Sequence, residues 1–241
     1  MRNFNKFLYR PFGKTIYDFS LVKDGEKILL CLSGGKDSTV MAELFSRWKK
    51  KVPIKISLEA VYIDFFGNNN IKIFLEKLCK KLNIPFEAIY IDSAEKAILN
   101  SGKFSKCYVC ARERRMNIFK YARNKKIRKI AYAHTRNDFS ETLFMNMIYS
   151  GHISTLSIKK DFFAGEFEII RPLALIDESI INEFIRASKI IIPKKKCKYY
   201  MNNRREVVRN IFKGLEKDNL MVSQSLNAAI RIWLSENFNQ I

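Results

Sequence analysis

Six consecutive residues near the amino terminus combine the groups that bind phosphate, in the run Ser33-Gly34-Gly35-Lys36-Asp37-Ser38. The two glycines allow backbone angles and a close ligand approach that other residues resist. Lys36 adds a positive charge, and Asp37 adds a carboxylate that can hold Mg²⁺ against a phosphate. The GxxxxGK[ST] spacing of the Walker loop is absent. A simple helix cap needs neither the glycine pair nor the lysine. The run therefore predicts an anion site.

Three cysteines form a second group that could do chemistry. Cys107 and Cys110 form a CxxC pair that can face one centre, and Cys197 follows in a lysine-rich stretch. Three uses fit this set from the residues alone. It could hold a 4Fe–4S cluster that keeps one iron open. It could be a zinc site completed by His134 or His152. The third use is a pair with a redox role or none.

The elements that must position these groups alternate along the chain. The apolar run 27–32 predicts a buried strand directly before the glycine loop, and the apolar period of 38–50 predicts a helix after it. Further strands are predicted at 54–63, 86–91, 128–133 and 167–171, and helices at 15–19, 71–82, 107–124, 137–149, 177–188, 202–215 and 223–238. A chain break is predicted at 11–13. This alternation predicts a parallel β-sheet with helices on both faces.

Several polar side chains follow predicted strand ends, where such sheets bind ligands. Asp64 and Asp92 follow the second and third strands, and His134 follows the fourth. His134 could orient a phosphate or a base, or it could pack in the core. Asp138 and Glu141 share one face of the next helix, a spacing that also suits a helix cap with a salt bridge.

Positive charge is concentrated in two stretches. The chain carries a formal charge of +20, and 103–129 and 189–213 together account for +18 of it. Lysine, asparagine and isoleucine are abundant throughout, but a general compositional bias would spread the charge evenly. The clustering predicts a polyanionic partner, with nucleic acid as the first candidate.

The length of 241 residues fits one α/β domain with modest additions. We predict an N-terminal appendage at 1–24, a nucleotide-binding domain at 25–190 that carries the CxxC pair, and a basic helical segment at 191–241. No apolar run reaches the roughly 20 residues of a membrane span, and no signal peptide is evident. The sequence thus predicts a cytoplasmic protein with reduced cysteines, of which Cys31 and Cys79 fill the core.

The glycine loop resembles the pyrophosphate (PP) loop of the N-type ATP pyrophosphatases. Members of that superfamily split ATP between the α and β phosphates, usually to adenylate an oxygen. Together with the cysteines, the chain more specifically resembles the tRNA 2-thiocytidine synthetase family, which has an adenine nucleotide alpha hydrolase-like fold. The resemblance extends from about residue 13 to 212. It rests on the runs 13–19, 107–115, 138–147, 170–173 and 191–193.

This resemblance implies a reaction and a set of site residues. ATP adenylates the 2-oxo group of a cytidine at tRNA position 32, and sulfur on the open iron of a 4Fe–4S cluster displaces AMP. The cluster ligands would be Cys107, Cys110 and Cys197. ATP and Mg²⁺ would contact Ser33, Gly34, Gly35, Lys36, Asp37, Ser38, Asp64, His134 and Asp138, with Lys36 and Asp37 catalytic. The tRNA would contact Arg112, Arg115, Lys194, Lys195, Lys196, Lys198, Arg204 and Arg205.

The implied partners are tRNA and either sulfide or a sulfur-donor protein, and a homodimer is left open. Two positions depart from the family pattern. Asn137 stands where an acid is usual, and Lys194 stands where the first cysteine of a pair is usual. Two other functions would also be compatible with the two positively charged stretches. A lysidine synthetase-like enzyme would need no cysteines. A non-catalytic RNA-binding protein would not need Ser33, Lys36 and Asp37.

Overall fold

The computed structural model describes residues 3–194, 204–218 and 222–237. One six-stranded sheet has the strand order β3-β2-β1-β4-β6-β5. Strands β1, β2, β3, β4 and β6 run parallel, and β5 pairs with β6 in the antiparallel direction. The strands are β1 Lys27–Leu32, β2 Ser57–Asp64, β3 Phe86–Tyr90, β4 Lys129–Ala131, β5 Lys159–Phe162 and β6 Phe167–Ile170.

Helices connect and cover these strands. A π-helical turn, Asn5–Tyr9, leads directly into the first helix. The α-helices are α1 Arg10–Asp18, α2 Lys36–Lys49, α3 Asn69–Leu82, α4 Ser93–Leu99, α5 Lys106–Asn124, α6 Arg136–Ser150, α7 Glu178–Ala187, α8 Arg204–Asp218 and α9 Val222–Asn237. Within the described ranges, no helix has the length and apolar character that crossing a bilayer requires.

Strand β1 separates two hydrophobic cores because its side chains alternate between the faces of the sheet. Ile28 and Leu30 join the larger core, which includes buried residues of α1, α2, α3 and α7. Leu29 and Cys31 join the smaller core, to which α5 contributes. Helices therefore cover both faces, and the predicted α/β class is confirmed.

The structure differs from the predicted elements at two places, one strand that was missed and one predicted break that was wrong. Strand β5, at one edge of the sheet, was not predicted because its four residues, Lys-Lys-Asp-Phe, form no apolar run. The sheet is accordingly mixed rather than wholly parallel. The predicted break at 11–13 is instead helical, because Pro11 lies in the first turn of α1, where its missing N–H is not needed.

The N-terminal residues are part of the main packing. Leu8 and Phe12 are at most 1% exposed, and both belong to the larger core. Phe12 packs edge-to-face on Phe45 of α2, with ring centroids 5.1 Å apart. This contact ties the N-terminal segment to the helix that follows the glycine loop. The domain boundaries at residues 24 and 190 stay a prediction.

Candidate active site

A cleft of about 480 Å³ opens at the carboxyl ends of the parallel strands. Ser33 after β1, His134 after β4 and Arg171 after β6 all line it. Strand β1 lies between β2 and β4 in the sheet. From β1 the chain continues to β2 and β3 on one side, whereas β4 and β6 lie on the other side, so the strand order reverses between β1 and β4. Open α/β sheets bind ligands at such a switch point. Helix α5 forms the facing wall of the cleft.

The glycine loop is held in shape by its own hydrogen bonds. Ser38 Oγ accepts from the backbone N–H of Ser33 at 3.1 Å and donates to the carbonyl of Gly35 at 3.0 Å. Gly35 is the N-cap of α2, and no described side chain caps that helix. The first N–H groups of α2 therefore face the loop together with the positive end of the helix dipole. This is the arrangement that binds phosphate.

Gly34 is required at its position for two reasons. Its φ is +72°, in the region that L side chains rarely adopt, and an added Cβ would overlap Ile71 Cγ2 of α3. We expect Gly34→Ala to weaken binding of a non-hydrolysable ATP analogue at least about tenfold, measured by calorimetry. Gly25→Ala is the matched control, because Gly25 has φ +76° with nothing within 4 Å of an added Cβ.

Adding Ile71→Ala to Gly34→Ala should restore part of the affinity, since it removes the overlap and leaves only the backbone strain. If Gly34→Ala bound the analogue as tightly as the parent, the loop would not be the phosphate site.

Lys36 lies between two carboxylates at the start of α2. Its Nζ is 3.0 Å from Asp37 Oδ1 and 2.6 Å from Glu178 Oε1 on α7. Burial would lower the pKa of Lys36, but the Asp37 and Glu178 carboxylates outweigh it and raise the pKa. Burial raises the pKa of Asp37, with Lys36 opposing and Glu178 and Asp138 adding to the rise. Lys36 is thus a cation held in place by two acids, Asp37 and Glu178.

The first turns of α6 and α7 also meet at this point. Asn137 Oδ1 accepts from the backbone N–H of Glu178 at 2.9 Å, and Arg136 Nη2 lies 2.6 Å from Asp177 Oδ2. An amide oxygen can accept this hydrogen bond, although the bond is weaker than one to an ionised carboxylate. The family departure at Asn137 therefore preserves the junction between the two helices while removing one negative charge.

Asp138 has the capping role that its spacing suggested. Its Oδ2 accepts from Thr135 N at 2.8 Å and from Thr135 Oγ1 at 3.0 Å, which closes a capping box on α6. Its Oδ1 accepts from Arg205 Nη1 at 3.1 Å. Asp138 also lines the cleft. The cap fixes this carboxylate opposite the glycine loop.

Helix α8 contacts acidic side chains of α6 and α7 through two arginines. Arg209 Nε lies 2.5 Å from Glu141 Oε1, and Arg209 Nη2 lies 4.0 Å from Glu178 Oε2. Arg205 Nε lies 3.4 Å from Glu141 Oε2. Burial raises the pKa of Glu141, while Arg209 opposes that rise. The basic C-terminal segment thereby reaches the end of the cleft that the glycine loop lines. Arg205, predicted as a tRNA contact, lies beside Asp138.

A buried arginine orients the histidine at the end of β4. Arg171 is 9% exposed, and its Nε donates to His134 Nδ1 at 3.1 Å. Its Nη1 donates to the carbonyl of Ser157. Burial, together with the Arg171 charge, lowers the pKa of His134 to about 4. His134 is therefore neutral near pH 7, and this hydrogen bond assigns its proton to Nε2.

This neutral histidine predicts a pH dependence of stability. The unfolded chain protonates His134 near pH 6.5, but the folded protein does so only near pH 4. The contribution of neutral His134 to the free energy of unfolding is fully present above pH 6.5. It is lost as the pH falls toward 4, because the unfolded state then binds more protons than the folded state. Between about pH 7 and pH 4.5, the free energy of unfolding should therefore decrease by up to about 3 kcal/mol less in His134→Gln than in the parent. Urea unfolding at the two pH values measures this difference. Exposed His152→Gln is the control. An equal pH dependence in His134→Gln and the parent would contradict the assignment.

Cys107 and Cys110 are the second and fifth residues of α5, which begins after Ser105. Cys107 is exposed and Cys110 is half-buried. By helical spacing, Cys107 shares a face with Ala111 and Arg114, which line the cleft. The thiol pair is therefore at the rim of the cleft, one turn from its wall.

The predicted third ligand cannot be placed in this way. Cys197 lies outside the described residues, as do Lys195, Lys196 and Lys198. Within the part of the chain that is described, no three His, Cys, Asp or Glu side chains form a metal-binding group. Two of the three predicted cluster ligands are thus positioned together, and the third stays a prediction.

The other predicted contacts lie apart from the cleft or at its edge. The buried Asp64 carboxylate accepts from the N–H of Phe66 at 3.0 Å and of Asn68 at 2.8 Å, so it shapes the loop after β2 rather than lining the cleft. Tyr90 OH donates to Asp92 Oδ1 at 3.5 Å on an exposed edge. We infer that any role of Asp64 toward ATP acts through the loop.

The predicted tRNA-contact arginines are divided between the cleft and the surface. Arg115 lines the cleft, whereas Arg112 is exposed and lies 3.1 Å from Glu113. Arg204 lies over the ring of Tyr149 at 4.7 Å. Lys194 is exposed.

Sequence reasoning missed several cleft residues. Arg171 was noted only in a family motif, and Arg114 and Tyr132 were not predicted to line a site. Glu178, which pairs with Lys36 beside the cleft, was not singled out either. Cys31 is buried as predicted, but it also lines the cleft. The strand-end position of Arg171 was the one signal that could have identified it.

The fold and this site correspond to a known class of protein. Residues 4–214 match the family described as a PP-loop domain. The chain is also similar to the U34-tRNA thiolase NcsA from Methanococcus maripaludis, solved with its [4Fe–4S] cluster. The TM-score is 0.78 at 22% identity, covering 96% of this chain and 80% of that one. At this identity the likeness concerns the fold.

Sequence relatives with assigned names identify a family within this class. The chain is 34% identical over 236 residues to the tRNA-cytidine(32) 2-sulfurtransferase of Marinomonas sp. (strain MWYL1), covering 96% of this chain and 84% of the relative. It is 34% identical to the enzyme of that name from Shigella boydii serotype 18, covering 90% and 70%. The chain belongs to the PP-loop family and, within it, to the tRNA-cytidine(32) 2-sulfurtransferase family.

Proposed function

We propose that this chain is an ATP-dependent tRNA sulfurtransferase that converts cytidine 32 of tRNA to 2-thiocytidine. One observation carries the proposal: the PP-loop and the face of α5 that bears Cys107 line the same cleft. A nucleobase in that cleft would be within reach of both an ATP phosphate and the cysteine pair. Family membership supplies the substrate, a tRNA cytidine.

The first step would be adenylation of the cytosine 2-oxo group. That oxygen attacks the α-phosphorus of ATP, a C–O–P linkage forms, and the bond to the β-phosphate oxygen breaks to release pyrophosphate. The N-terminus of α2 and the Lys36 ammonium stabilise the charge on the departing pyrophosphate. Asp37 and Asp138 both line the cleft, and their carboxylates would hold a Mg²⁺ ion, which would supply positive charge to the phosphates.

The second step would replace oxygen by sulfur. A sulfur nucleophile attacks C2, the C2–O bond breaks, and AMP leaves with that oxygen. His134 Nε2–H can donate a hydrogen bond to a phosphoryl oxygen of the leaving AMP, and Arg171 holds the imidazole in that tautomer. The Arg171 charge, buried at the same wall, favours an anionic leaving group.

The cysteine residues present fit an iron–sulfur cluster as far as they are described. Cys107 and Cys110 are spaced for one centre, and Cys107 is exposed at the rim of the cleft. Together with Cys197 they would hold a 4Fe–4S cluster by three thiolates. When bound, such a cluster supplies one iron without a protein ligand, a position suited to inorganic sulfur. The sulfur source would be sulfide or a donor protein.

Binding of tRNA tests the assignment of the basic stretches. We expect unmodified tRNA to stimulate pyrophosphate release and its affinity to fall steeply as salt increases. Arg112→Gln should lower the log–log salt slope by about one unit, because one phosphate contact is lost. Lys72→Gln, on the exposed face of α3 and outside both stretches, is the control. Salt-insensitive binding would mean that the clustered charge is only solvated surface.

The setting of the reaction follows from its substrate. We propose that the enzyme acts in the cytoplasm, where tRNA and ATP are both present. A homodimer stays a prediction, which sedimentation of the purified protein would test.

A further inference from the structure

We propose that Phe104 and Tyr108, a stacked and exposed aromatic pair beside Cys107, form a platform that binds an unpaired nucleobase of the tRNA anticodon loop. This inference rests on the proposed function and adds a second base-binding site outside the cleft. The platform would hold a neighbour of the target base, so that the target itself can enter the cleft.

The geometry of the pair is that of a stacking surface. The two ring centroids are 5.2 Å apart, and the ring planes differ by 26°. Phe104 is 56% exposed and Tyr108 is 50% exposed. Among the described ring pairs, this is the one in which both rings are exposed. A nucleobase on an outer face would extend the stack, and every base has a π-face that can do so.

The surroundings match the charge of a nucleic acid. Lys103, Lys106 and Arg112, within a few residues of the rings, are all exposed. Phosphate contacts from such side chains combine with aromatic stacking in proteins that bind single-stranded nucleic acid. An apolar protein partner would bind this surface less favourably, because its docking would remove water from three cationic side chains, which costs free energy.

The pair is more than a contact that stabilises the start of α5. Ser105 is the N-cap, and its Oγ accepts from the N–H of Tyr108 at 3.2 Å, so the cap does not depend on the rings. A hydrophobic staple pairs the residue before the cap with the fourth helical residue, which here is Val109, rather than with Tyr108. A staple also stabilises by burial, whereas both rings remain at least half exposed.

The position beside the cysteine pair, Cys107 and Cys110, explains what the platform would do. Tyr108 follows Cys107 directly and shares its helical turn. A base stacked on Tyr108 would therefore lie at the same rim as the cysteine pair. Unpaired loop bases can be splayed out and stacked on aromatic side chains, which duplex bases cannot. The recognised group is thus an unpaired base, with no preference for its identity.

The test compares tRNA binding by aromatic variants of the iron-loaded protein. Phe104→Ala/Tyr108→Ala should weaken binding of an unmodified tRNA transcript by about 5-fold to 100-fold, as loss of base stacking predicts. The salt slope should be unchanged because no charge is removed. The swapped pair Phe104→Tyr/Tyr108→Phe should bind like the parent. Tyr17→Ala, which removes an 85% exposed ring on α1, is the matched control.

A second readout reports stacking directly. We expect 2-aminopurine in the anticodon loop to lose fluorescence on binding the parent or the swapped pair, and to keep it with the double alanine variant. Iron content and the thermal midpoint establish that each variant is loaded and folded. If the double variant does not fold, Phe104→Ala, which changes a residue before the helix, provides the same comparison.

The outcomes separate this inference from the proposed function. Parent-like affinity and quenching in the alanine variant, while the parent binds tRNA, would overturn the platform alone. A lower thermal midpoint with unchanged affinity would show a structural pair only and would also overturn it. A parent that binds no tRNA at all would contradict the proposed function itself.

Discussion

Replacing Asp37 by asparagine should abolish pyrophosphate release, with a loss of about 10²–10³-fold or more. The substitution keeps the size of the side chain and removes its charge. Asp37 is 3.0 Å from Lys36 at the first turn of α2, and it faces Asp138 across the cleft. Without this carboxylate, one residue that would hold Mg²⁺ is lost, and Lys36 keeps only Glu178 as its acidic partner. The measurement is tRNA-stimulated pyrophosphate release at saturating ATP.

The affinity of the Asp37→Asn variant for tRNA should match that of the parent, because the basic stretches are elsewhere. Asp161→Asn, on the edge strand β5, is the control for loss of one carboxylate. If Asp37→Asn released pyrophosphate at the parent rate, the assignment of the loop to ATP would be wrong.

Substituting the cysteines one at a time should divide them into two groups. Cys107→Ala, Cys110→Ala and Cys197→Ala should each lose the cluster or its activity, whereas Cys31→Ala and Cys79→Ser should lose neither. Burial raises the pKa of Cys31, and it raises that of Cys79 to about 12. Both buried thiols therefore stay protonated, and a metal ligand must be a thiolate.

Adenylation of tRNA should survive in all five cysteine variants, since the PP-loop does not depend on iron. The measurements are iron content and tRNA 2-thiocytidine after anaerobic reconstitution. If Cys197→Ala kept both at the parent level, Cys197 would not be the third ligand. The lysine at position 194 would then indicate a changed mechanism.

The central strand and the loop were predictable because their signals are local. The apolar run 27–32 matches β1 Lys27–Leu32, and the glycine pair gives the turn. Helix α2 begins at Lys36, two residues earlier than predicted, since Gly35 is itself the N-cap. Edge strand β5 carried no such signal, because an edge strand with three charged residues pairs through its backbone rather than through an apolar face.

The site was predictable at the strand ends but not between distant segments. Ser33, Asp37, His134 and Asp138 were expected near one another and do line one cleft. The pairing of Lys36 with Glu178 joins positions far apart in the chain. No local pattern indicates that α7 begins beside α2, so that pairing emerges only from tertiary packing. The pairing of Arg209 with Glu141 was not predicted, for the same reason.

The central claim is that ATP cleavage and sulfur addition act on one cytosine in one cleft. It is tested most directly by incubating anaerobically reconstituted protein with unmodified tRNA, ATP and sulfide, then quantifying AMP and modified nucleosides by mass spectrometry. We expect 2-thiocytidine at position 32, one AMP for each modified nucleoside, and neither product without ATP. AMP formation with a lysine-modified cytidine, or tRNA binding with no AMP and no 2-thiocytidine, would contradict the account.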